Sequence, residues 1–284
     1  MLVSNSWVDY ECIDAGNAEK LERWKDVILR RPEPWALWTH KQNNIWESYH
    51  AIYHRSDKGG GYWEKKHNFP EFWTVKYKDL TFKVSPTGFK HTGLFPEQAV
   101  NWERMIKKIK ESGRKDVKVL NLFAYTGGAT VACLSAGASV VHVDSSKGIN
   151  DWAKENVKSS GFEDRPVRFL VDDVKKFVQR EIRRGNKYDA IIMDPPSYGR
   201  GSNNEVWSIE KDLDGLLQSC KEILKDDFLF VCVNTYTANL SLLTLENILK
   251  VHFNNNIKVD EIALPIENSN LYLPCGITGW ITND

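Results

Sequence analysis

The chain has 284 residues with 38 basic and 38 acidic side chains, so its formal net charge is zero. This balance excludes a histone-like basic protein and an acidic disordered tail, and the 42% hydrophobic and 27% charged residues are ordinary for a globular protein. No apolar run approaches the ~20 residues of a membrane span, and we expect no signal peptide. The five cysteines show no CxxC spacing. We therefore expect no disulfide scaffold, no metal site and a cytoplasmic location.

The first 90 residues are rich in aromatic side chains and turn signals. Seven of the eleven tryptophans precede residue 74. Residues 74–77 and 80–84 alternate around Lys78-Asp79, which predicts a hairpin. Residues 21–31 fit either a second hairpin turning at Lys25-Asp26 or a short helix. We predict a small β-rich domain over residues 1–90, in which the tryptophans pack in the core.

Helix and strand patterns alternate through the rest of the chain. Pro96 and an apolar stripe predict a helix over 96–111. Strands are then predicted at 117–123, 139–143, 167–171, 188–193 and 228–233. Helices are predicted at 129–136, 147–159, 213–224 and 240–251, and a further helix follows strand 167–171 and ends at 184. Two last strands, 259–264 and 277–281, follow without a helix between them. This order predicts an α/β domain over 91–284 with a mainly parallel sheet and an antiparallel edge.

A glycine turn follows the first core strand, where residues 121–129 read N-L-F-A-Y-T-G-G-A. Glycines let a backbone approach a ligand closely, and the next helix offers unpaired N–H groups. In open α/β sheets, ligands bind at this carboxyl end of the strands. A nicotinamide-binding fold would prefer GxGxxG, which the chain lacks.

Acidic residues end the second and third core strands. Asp144 could accept hydrogen bonds from both ribose hydroxyls of a nucleoside, although Asp144, Ser145 and Ser146 also suit a helix N-cap. Asp172 and Asp173 offer a carboxylate to an adenine amine, and capping of the next helix is the alternative. We favour ribose binding by Asp144 and adenine binding by Asp173.

The fourth strand ends in D-P-P-S-Y-G, residues 194–199. Two prolines fix a rigid turn, and we expect their carbonyls to find no donor within the loop. Asp194 and a proline carbonyl can then accept hydrogen bonds from one amino group. This arrangement would aim the nitrogen lone pair at an electrophile.

In order and spacing, these motifs resemble a class I S-adenosylmethionine-dependent methyltransferase. Within that superfamily they resemble the bacterial 23S rRNA methyltransferases that include the large-subunit I and K enzymes. Residues 90–98, K-H-T-G-L-F-P-E-Q, are similar to the K-T-G-x-x-x-D-Q stretch of that group. The resemblance implies a Rossmann-like fold with a seven-stranded sheet, beside the small N-terminal β-rich domain.

The resemblance also implies a cofactor, S-adenosyl-L-methionine, and the residues that hold it. The cofactor-binding residues would be Thr92, Phe95, Gln98, Phe123, Ala124, Tyr125, Thr126, Gly127, Gly128, Asp144, Ser145, Asp172, Asp173, Val174 and Asp194. The methyl acceptor would lie beside Asp194, Pro195, Pro196 and Tyr198.

Cytosine-C5 methylation needs a cysteine nucleophile, which in that branch of the family follows strand five. Here Asn234 stands roughly at that place, and Cys232 is expected inside the strand. Cys275 is expected in a loop from which it could approach the site. Direct transfer to a nitrogen is therefore favoured over a covalent route through cysteine.

The leading hypothesis is a methyltransferase that acts on RNA, in particular rRNA, at a base nitrogen. Residues 101–200 carry 19 basic and 13 acidic side chains, which allows a local RNA-binding patch on a neutral protein. Alternatives are a methyltransferase of a small molecule or protein, and a non-catalytic module that binds cofactor or RNA. An NAD-dependent oxidoreductase is disfavoured by the glycine spacing. The sequence does not determine the oligomeric state.

Overall fold

The computed structural model describes residues 1–39, 44–57, 59–201, 205–237, 240–267 and 269–283. The chain divides into two compact units. Unit 1 comprises Met1–Val100 and Ile262–Cys275, and unit 2 comprises Asn101–Glu261 and Gly276–Asp284. The division into domains 1–90 and 91–284 stays a prediction. Within the described residues, every helix is too short or too polar to cross a membrane.

Unit 1 is rich in β-structure. Its strands are β1 (Leu2–Val3), β2 (Tyr10–Gly16), β3 (Glu19–Trp24), β4 (Val27–Pro32), β5 (Ala51–Arg55), β6 (Gly61–Lys65), β7 (Trp73–Tyr77) and β8 (Leu80–Val84), with 3₁₀ helices at Asn44–Glu47 and Pro96–Gln98. Five of them form a sheet in the order β2-β3-β4-β5-β6, and β7 and β8 form the predicted hairpin. Residues 21–31 form the β3–β4 hairpin, so the alternative of a short helix was wrong. Lys25 turns this hairpin with a φ of 57°.

The tryptophans of unit 1 are mostly structural, as predicted. Trp24 and Trp46 are buried, and Trp46 packs with Ile13 and Leu21. Most of the other indoles donate to fixed acceptors. Trp38 Nε1 donates to the Ala15 carbonyl at 2.7 Å, and Trp7, Trp63 and Trp73 also donate to main-chain carbonyls. These side chains therefore bind the strands and loops of the unit together.

Unit 2 contains the alternating helices and strands. They are α1 (Ala99–Glu111, beginning in unit 1), β9 (Lys118–Leu122), α2 (Gly128–Ser135), β10 (Ser139–Asp144), α3 (Lys147–Ser159), β11 (Val167–Val171), α4 (Val174–Arg184), β12 (Ala190–Met193), β13 (Tyr198–Arg200), β14 (Val206–Ser208), α5 (Ile209–Glu222), β15 (Phe230–Thr235), α6 (Leu242–His252), β16 (Asn256–Pro265) and β17 (Tyr272–Thr282). Strands β16 and β17 each include residues of both units.

Among the described residues, the main sheet has eight strands in the order β1-β16-β17-β15-β12-β9-β10-β11, one more than the seven predicted. Strands β15, β12, β9, β10 and β11 pair in parallel, and β17 pairs antiparallel with β15. The predicted mainly parallel sheet with antiparallel strands at one end is confirmed. Helices α4, α5 and α6 contribute Phe177, Leu217 and Leu249 to one buried cluster with Leu120 and Ile191 of the sheet. This core fixes the strands whose ends carry the predicted site.

Two small elements were not predicted from the sequence. Strand β1 pairs in parallel with β16 at Ile262 and Ala263. Strands β13 and β14 form a short antiparallel hairpin directly after the D-P-P-S turn. Each has only two or three residues, too few for a periodic pattern.

Candidate functional site

The turn after β9 is a strained loop fixed against β10. Phe123, Tyr125 and Gly127 have φ values of 53°, 49° and 84°. The Ala124 N–H donates to the Val143 carbonyl at 3.1 Å, and the Gly127 N–H donates to the Ala124 carbonyl at 3.0 Å. Left-handed backbone at non-glycine residues is costly and persists where the surroundings enforce it, often at ligand sites. The predicted glycine turn is therefore a rigid loop at the start of α2.

The glycines of this loop allow close packing of α2. A Cβ added to Gly128 would lie 2.7 Å from Cζ2 of Trp102, and one added to Gly127 would lie 3.1 Å from Cβ of Ala153. Asn156 Nδ2 also donates to the Thr126 carbonyl at 2.8 Å. The loop is thus held from α1 and α3 as well as from the sheet.

A buried polar chain supports the loop from below. Asn121 Nδ2 lies 3.0 Å from Thr130 Oγ1, which lies 2.9 Å from His142 Nδ1. Burial lowers the pKa of His142 to about 3, so the imidazole is neutral at physiological pH. These contacts join β9, α2 and β10 beneath the residues that would hold a ligand.

Asp144 links the ends of β9 and β10 through its carboxylate. The Tyr125 N–H donates to Oδ2 and the Ser146 N–H donates to Oδ1, both at 3.0 Å. Ser145 also contributes a backbone hydrogen bond, and burial raises the pKa of Asp144 while these bonds oppose the rise. Ser146, whose Oγ accepts from the Ile149 N–H at 3.4 Å, is the N-cap of α3. The capping alternative for Asp144 was therefore wrong. Each carboxylate oxygen keeps acceptor capacity for a ligand hydroxyl.

Asp172 and Asp173, which follow β11, make different contacts. Asp173 caps α4, since its Oδ1 accepts from the Lys176 N–H at 2.9 Å. Asp172 forms an ion pair with Arg180, and its N–H donates to the Asp144 carbonyl at 3.1 Å. Val174, the first residue of α4, is buried. Adenine binding by Asp173 stays a prediction.

The D-P-P-S turn lies at the end of β12, next to the glycine loop. Strands β12 and β9 are neighbours, with Met193 paired to Leu122, so their following loops meet at one edge of the sheet. Asp194 is half-buried, Pro195 is buried and Pro196 is exposed. The predicted aspartate and prolines therefore lie beside the predicted cofactor loop.

Trp207 of β14 connects these two loops. Its Nε1 donates to the Pro196 carbonyl at 2.7 Å, and its ring centroid lies 4.7 Å from that of Phe123. The Pro196 carbonyl therefore has a donor from outside the turn, because the β13–β14 hairpin returns the indole of Trp207 to it. Tyr198 opens that hairpin, is 57% exposed, and accepts from Arg200 Nε at 3.2 Å.

The remaining predicted cofactor residues belong to unit 1. Thr92 is fully buried, and its Oγ1 has no hydrogen-bond partner among the described residues. Phe95 is half-buried directly before the 3₁₀ helix Pro96–Gln98, and Gln98 is buried at its end. Their predicted place over the cofactor stays a prediction.

A second polar network in unit 2 was not predicted. Asn101 Nδ2 donates to Asn234 Oδ1 at 3.0 Å, and Asn101 Oδ1 accepts from Trp280 Nε1 at 2.8 Å and Thr278 Oγ1 at 3.4 Å. Asn234, which stands near the position of a family nucleophile, is thus engaged in a buried structural contact. Contacts across 133 to 179 residues leave no local signal in a sequence.

The cysteines are all buried, and Cys275 lies in strand β17 rather than in the expected loop. Burial raises the pKa of Cys232 to about 12 and raises the pKa of Cys275 well above its usual range. A cysteine nucleophile needs a thiolate, and these surroundings hold both thiols neutral.

A cavity of about 360 Å³ lies at the opposite edge of the main sheet. Its lining includes Lys118, Ser139 and Arg168, at or near the amino ends of β9, β10 and β11. The predicted site residues are at the carboxyl ends, so this cavity is separate from them.

Comparisons with known proteins identify the family. The model of the S-adenosylmethionine-dependent methyltransferase family matches residues 40–259. The crystal structure of a SAM-dependent methyltransferase from Agrobacterium tumefaciens has a TM-score of 0.95 and 34% identity, covering 100% of this chain and 93% of that chain.

Curated relatives are longer proteins. The ribosomal RNA large subunit methyltransferase K/L of Pseudoalteromonas atlantica is 32% identical over 170 residues, which are 59% of this chain and 23% of that protein. The K/L protein of Shewanella sediminis is 30% identical over 215 residues, 75% of this chain and 28% of that protein. The chain thus spans about a quarter of the length of these relatives. The resemblance found in the sequence is confirmed, and the chain belongs to the S-adenosylmethionine-dependent methyltransferase family.

Proposed function

We propose that this methyltransferase acts on RNA, in particular ribosomal RNA, and transfers the methyl group to a base nitrogen. The observation that carries the proposal is the Asp194-Pro195-Pro196 turn, placed beside the glycine loop and tied to it by Trp207. Relatives that are named ribosomal RNA large subunit methyltransferases support RNA as the substrate class.

The residues at the ends of β9, β10 and β11 fit S-adenosylmethionine. Main-chain N–H groups at the start of α2 suit the methionine carboxylate, because a helix N-terminus favours an anion. Asp144 keeps acceptor capacity for the two ribose hydroxyls, and the Asp173 oxygen that does not cap α4 suits the adenine amine. Thr92, Phe95 and Gln98 of unit 1 are further cofactor residues that the family resemblance implies.

The part of the site that would hold the methyl-accepting amine is built from hydrogen-bond acceptors. S-adenosylmethionine supplies a methyl group on a positively charged sulfur. The Asp194 carboxylate and the Pro195 carbonyl would accept hydrogen bonds from the amine, which leaves the nitrogen lone pair facing the methyl carbon. The new N–C bond forms as the S–C bond breaks, and the amine then releases a proton to solvent. Tyr198, exposed beside the turn, would contact the acceptor base.

The cysteine chemistry supports nitrogen over carbon as the target. Attack on C6 of cytosine requires a thiolate, whereas burial holds the Cys232 and Cys275 thiols neutral. Direct displacement at the methyl carbon needs positioning and no covalent intermediate with the protein.

Transfer of a labelled methyl group tests this function. The purified protein, which we expect to be cytoplasmic, is incubated with radiolabelled-methyl S-adenosylmethionine and an extract of cells that lack this protein. Label in large RNA that is released by RNase supports the proposal. Label that protease releases, or label in small molecules, would instead identify a methyltransferase of those substrates. Cofactor binding without any transfer would identify a binding module.

A further inference from the structure

The outward side of the β7–β8 hairpin in unit 1 is a small basic and aromatic surface. Thr74 pairs with Lys83, and Lys76 pairs with Thr81. Because side chains alternate along strands, these four residues share one side of the hairpin while the apolar residues face the other. Val75, Phe82 and Val84 are fully buried on that second side. We call Phe72, Thr74, Lys76, Thr81 and Lys83 the hairpin face.

Phe72 is an exposed ring on a fixed backbone. It lies directly before β7 and is 56% exposed. Ser85 Oγ donates to the carbonyl of Glu71, the residue before Phe72, at 2.7 Å, and Trp73 Nε1 donates to the Trp24 carbonyl at 3.0 Å. These bonds therefore fix the two residues that flank Phe72, while its phenyl ring stays exposed to water. Lys83 Nζ lies 4.5 Å from the ring centroid, a cation–π contact that strengthens when water is excluded.

The hairpin face is positively charged on a protein that is neutral overall. Residues 59–90 contain six lysines and three acidic residues, a net charge of +3. In the fully described strands β7 and β8, the outward positions carry two lysines and no acidic residue. Lys76 and Lys83 are diagonal neighbours on this face, and the geometry of a strand pair places their backbone positions about 7–8 Å apart. The Lys76 main-chain N–H donates to Asp9 Oδ2 at 2.8 Å, which ties β7 to the segment before β2.

We propose that the hairpin face binds an unpaired stretch of the RNA substrate, an inference that rests on the proposed action on RNA. The Phe72 ring would stack on one base, Lys76 and Lys83 would contact phosphates, and Thr74 and Thr81 would reach ribose hydroxyls. In a duplex the bases are already stacked on one another, so an exposed ring has a partner only where the RNA is single-stranded.

Five tryptophans of unit 1 are less suited to this role. Trp7, Trp38, Trp46, Trp63 and Trp73 each donate an indole hydrogen bond within the unit. Stacking a base on them would compete with the packing that holds the strands. Phe72 has no polar atom in its side chain, and its ring takes no part in such bonds.

Binding of labelled RNA to the full chain tests the proposal. The probes are a fluorescein-labelled 15-nucleotide unpaired RNA and a duplex of the same length, measured by anisotropy at two salt concentrations. We expect the wild type to prefer the unpaired probe. Lys76→Glu with Lys83→Glu should lower affinity for it at least tenfold and reduce the salt slope by about 1.4, since two phosphate contacts are lost. Phe72→Ala should lower affinity about tenfold without changing the salt slope.

The control is the same charge reversal at Lys211 and Lys221, which are exposed on α5 of unit 2. This pair should leave RNA affinity within twofold of the wild type. Equal losses in the two double variants, or unchanged binding in the Phe72→Ala variant, would overturn the hairpin face as a stacking surface. A wild type that binds neither probe would overturn it too.

Methyl transfer to RNA by the same preparations separates this inference from the proposed function. If the wild type methylates no RNA while the hairpin variants still lose RNA affinity, the proposed function fails and the surface stands. If RNA is methylated and the hairpin variants bind and react like the wild type, the surface fails and the function stands.

Discussion

The indole of Trp207 donates a hydrogen bond to the Pro196 carbonyl at 2.7 Å. The same ring packs on Phe123 of the loop after β9, with ring centroids 4.7 Å apart. One side chain therefore fixes the spacing between the two loops that would hold the methyl donor and the methyl acceptor. In an in-line transfer, this spacing decides how often the reacting atoms are aligned.

Trp207→Phe should slow methyl transfer while leaving cofactor binding intact. The phenyl ring keeps the packing on Phe123 but loses the hydrogen bond to Pro196. A shift of about 1 Å in the acceptor loop can cost about 100-fold in rate. We therefore expect kcat to fall tenfold or more, with affinity for S-adenosylhomocysteine within twofold of the wild type.

Tyr188→Phe is the matched control for this variant. Its hydroxyl lies 2.6 Å from Glu181 Oε2, at the opposite edge of the main sheet. It should lower stability without a change in kcat. Equal kcat in Trp207→Phe and wild type would contradict the positioning role of Trp207.

Asp144→Ala should weaken cofactor binding. The substitution removes a carboxylate that accepts from two main-chain N–H groups and would accept from the ribose. Hydrogen bonds to a charged group contribute about 1.5–3 kcal/mol, so the dissociation constant for S-adenosylhomocysteine should rise at least tenfold. Calorimetric titration measures it. Asp151→Ala, at a half-buried residue of α3 that pairs with Lys147, is the control and should bind normally. Unchanged affinity in the Asp144 variant would refute the ribose role.

Two glycine-to-alanine substitutions should have opposite effects on stability. A Cβ at Gly128 would meet Trp102 at 2.7 Å, whereas one at Gly148 in α3 would meet no atom within 4 Å. Gly128→Ala should lower the free energy of unfolding by about 1–3 kcal/mol through overpacking. Gly148→Ala should raise it by about 0.4–1 kcal/mol, because the unfolded chain loses freedom. Denaturant unfolding compares them, and a stabilised Gly128 variant would contradict the tight packing.

Glu97 should make the stability of the protein depend on pH. Burial raises its pKa from 4.5 to about 7. The folded protein therefore binds a proton more tightly than the unfolded chain does. The resulting stabilisation is fully present below about pH 4.5 and is lost as the pH rises through 7. The pKa shift of Glu97 corresponds to about 3 kcal/mol in the free energy of unfolding.

Glu97→Gln removes this titration with little change in shape. The difference in the free energy of unfolding between variant and wild type should grow in favour of the variant from pH 5 to pH 8. The low pKa values of His91 and His142, both about 3, affect the two proteins equally and cancel in the difference. A difference that does not vary with pH would contradict the raised pKa of Glu97.

Much of the fold follows from local patterns in the sequence. Residues 147–159 and 167–171 form the predicted helix and strand at the predicted bounds, because apolar periodicity and capping residues agree there. The ambiguity over residues 21–31 was resolved by the pairing of β3 with β4, which a single segment does not encode. The pairing of β1 with Ile262 depends on residues that are distant in the sequence.

The motifs that define the site were visible in the sequence, but their supports were not. Asp144, Gly127 and Asp194 lie at the strand ends where the βα pattern puts them. Trp207 was missed, because a hairpin of two three-residue strands returns it to Pro196 and no spacing rule reports that. Asn101 was missed for a similar reason, since its partners lie 133 and 179 residues away.

Identification of the methylated atom tests the central claim most directly. RNA from cells that lack the protein is incubated with S-adenosylmethionine carrying a deuterated methyl group, and its nucleosides are then analysed by mass spectrometry. Our account predicts label on an amino or ring nitrogen of a base with the wild type. It predicts no label with Asp194→Ala, even at a concentration of S-adenosylmethionine that saturates this variant. Label on carbon 5 of a pyrimidine, or full labelling by the Asp194 variant, would contradict it.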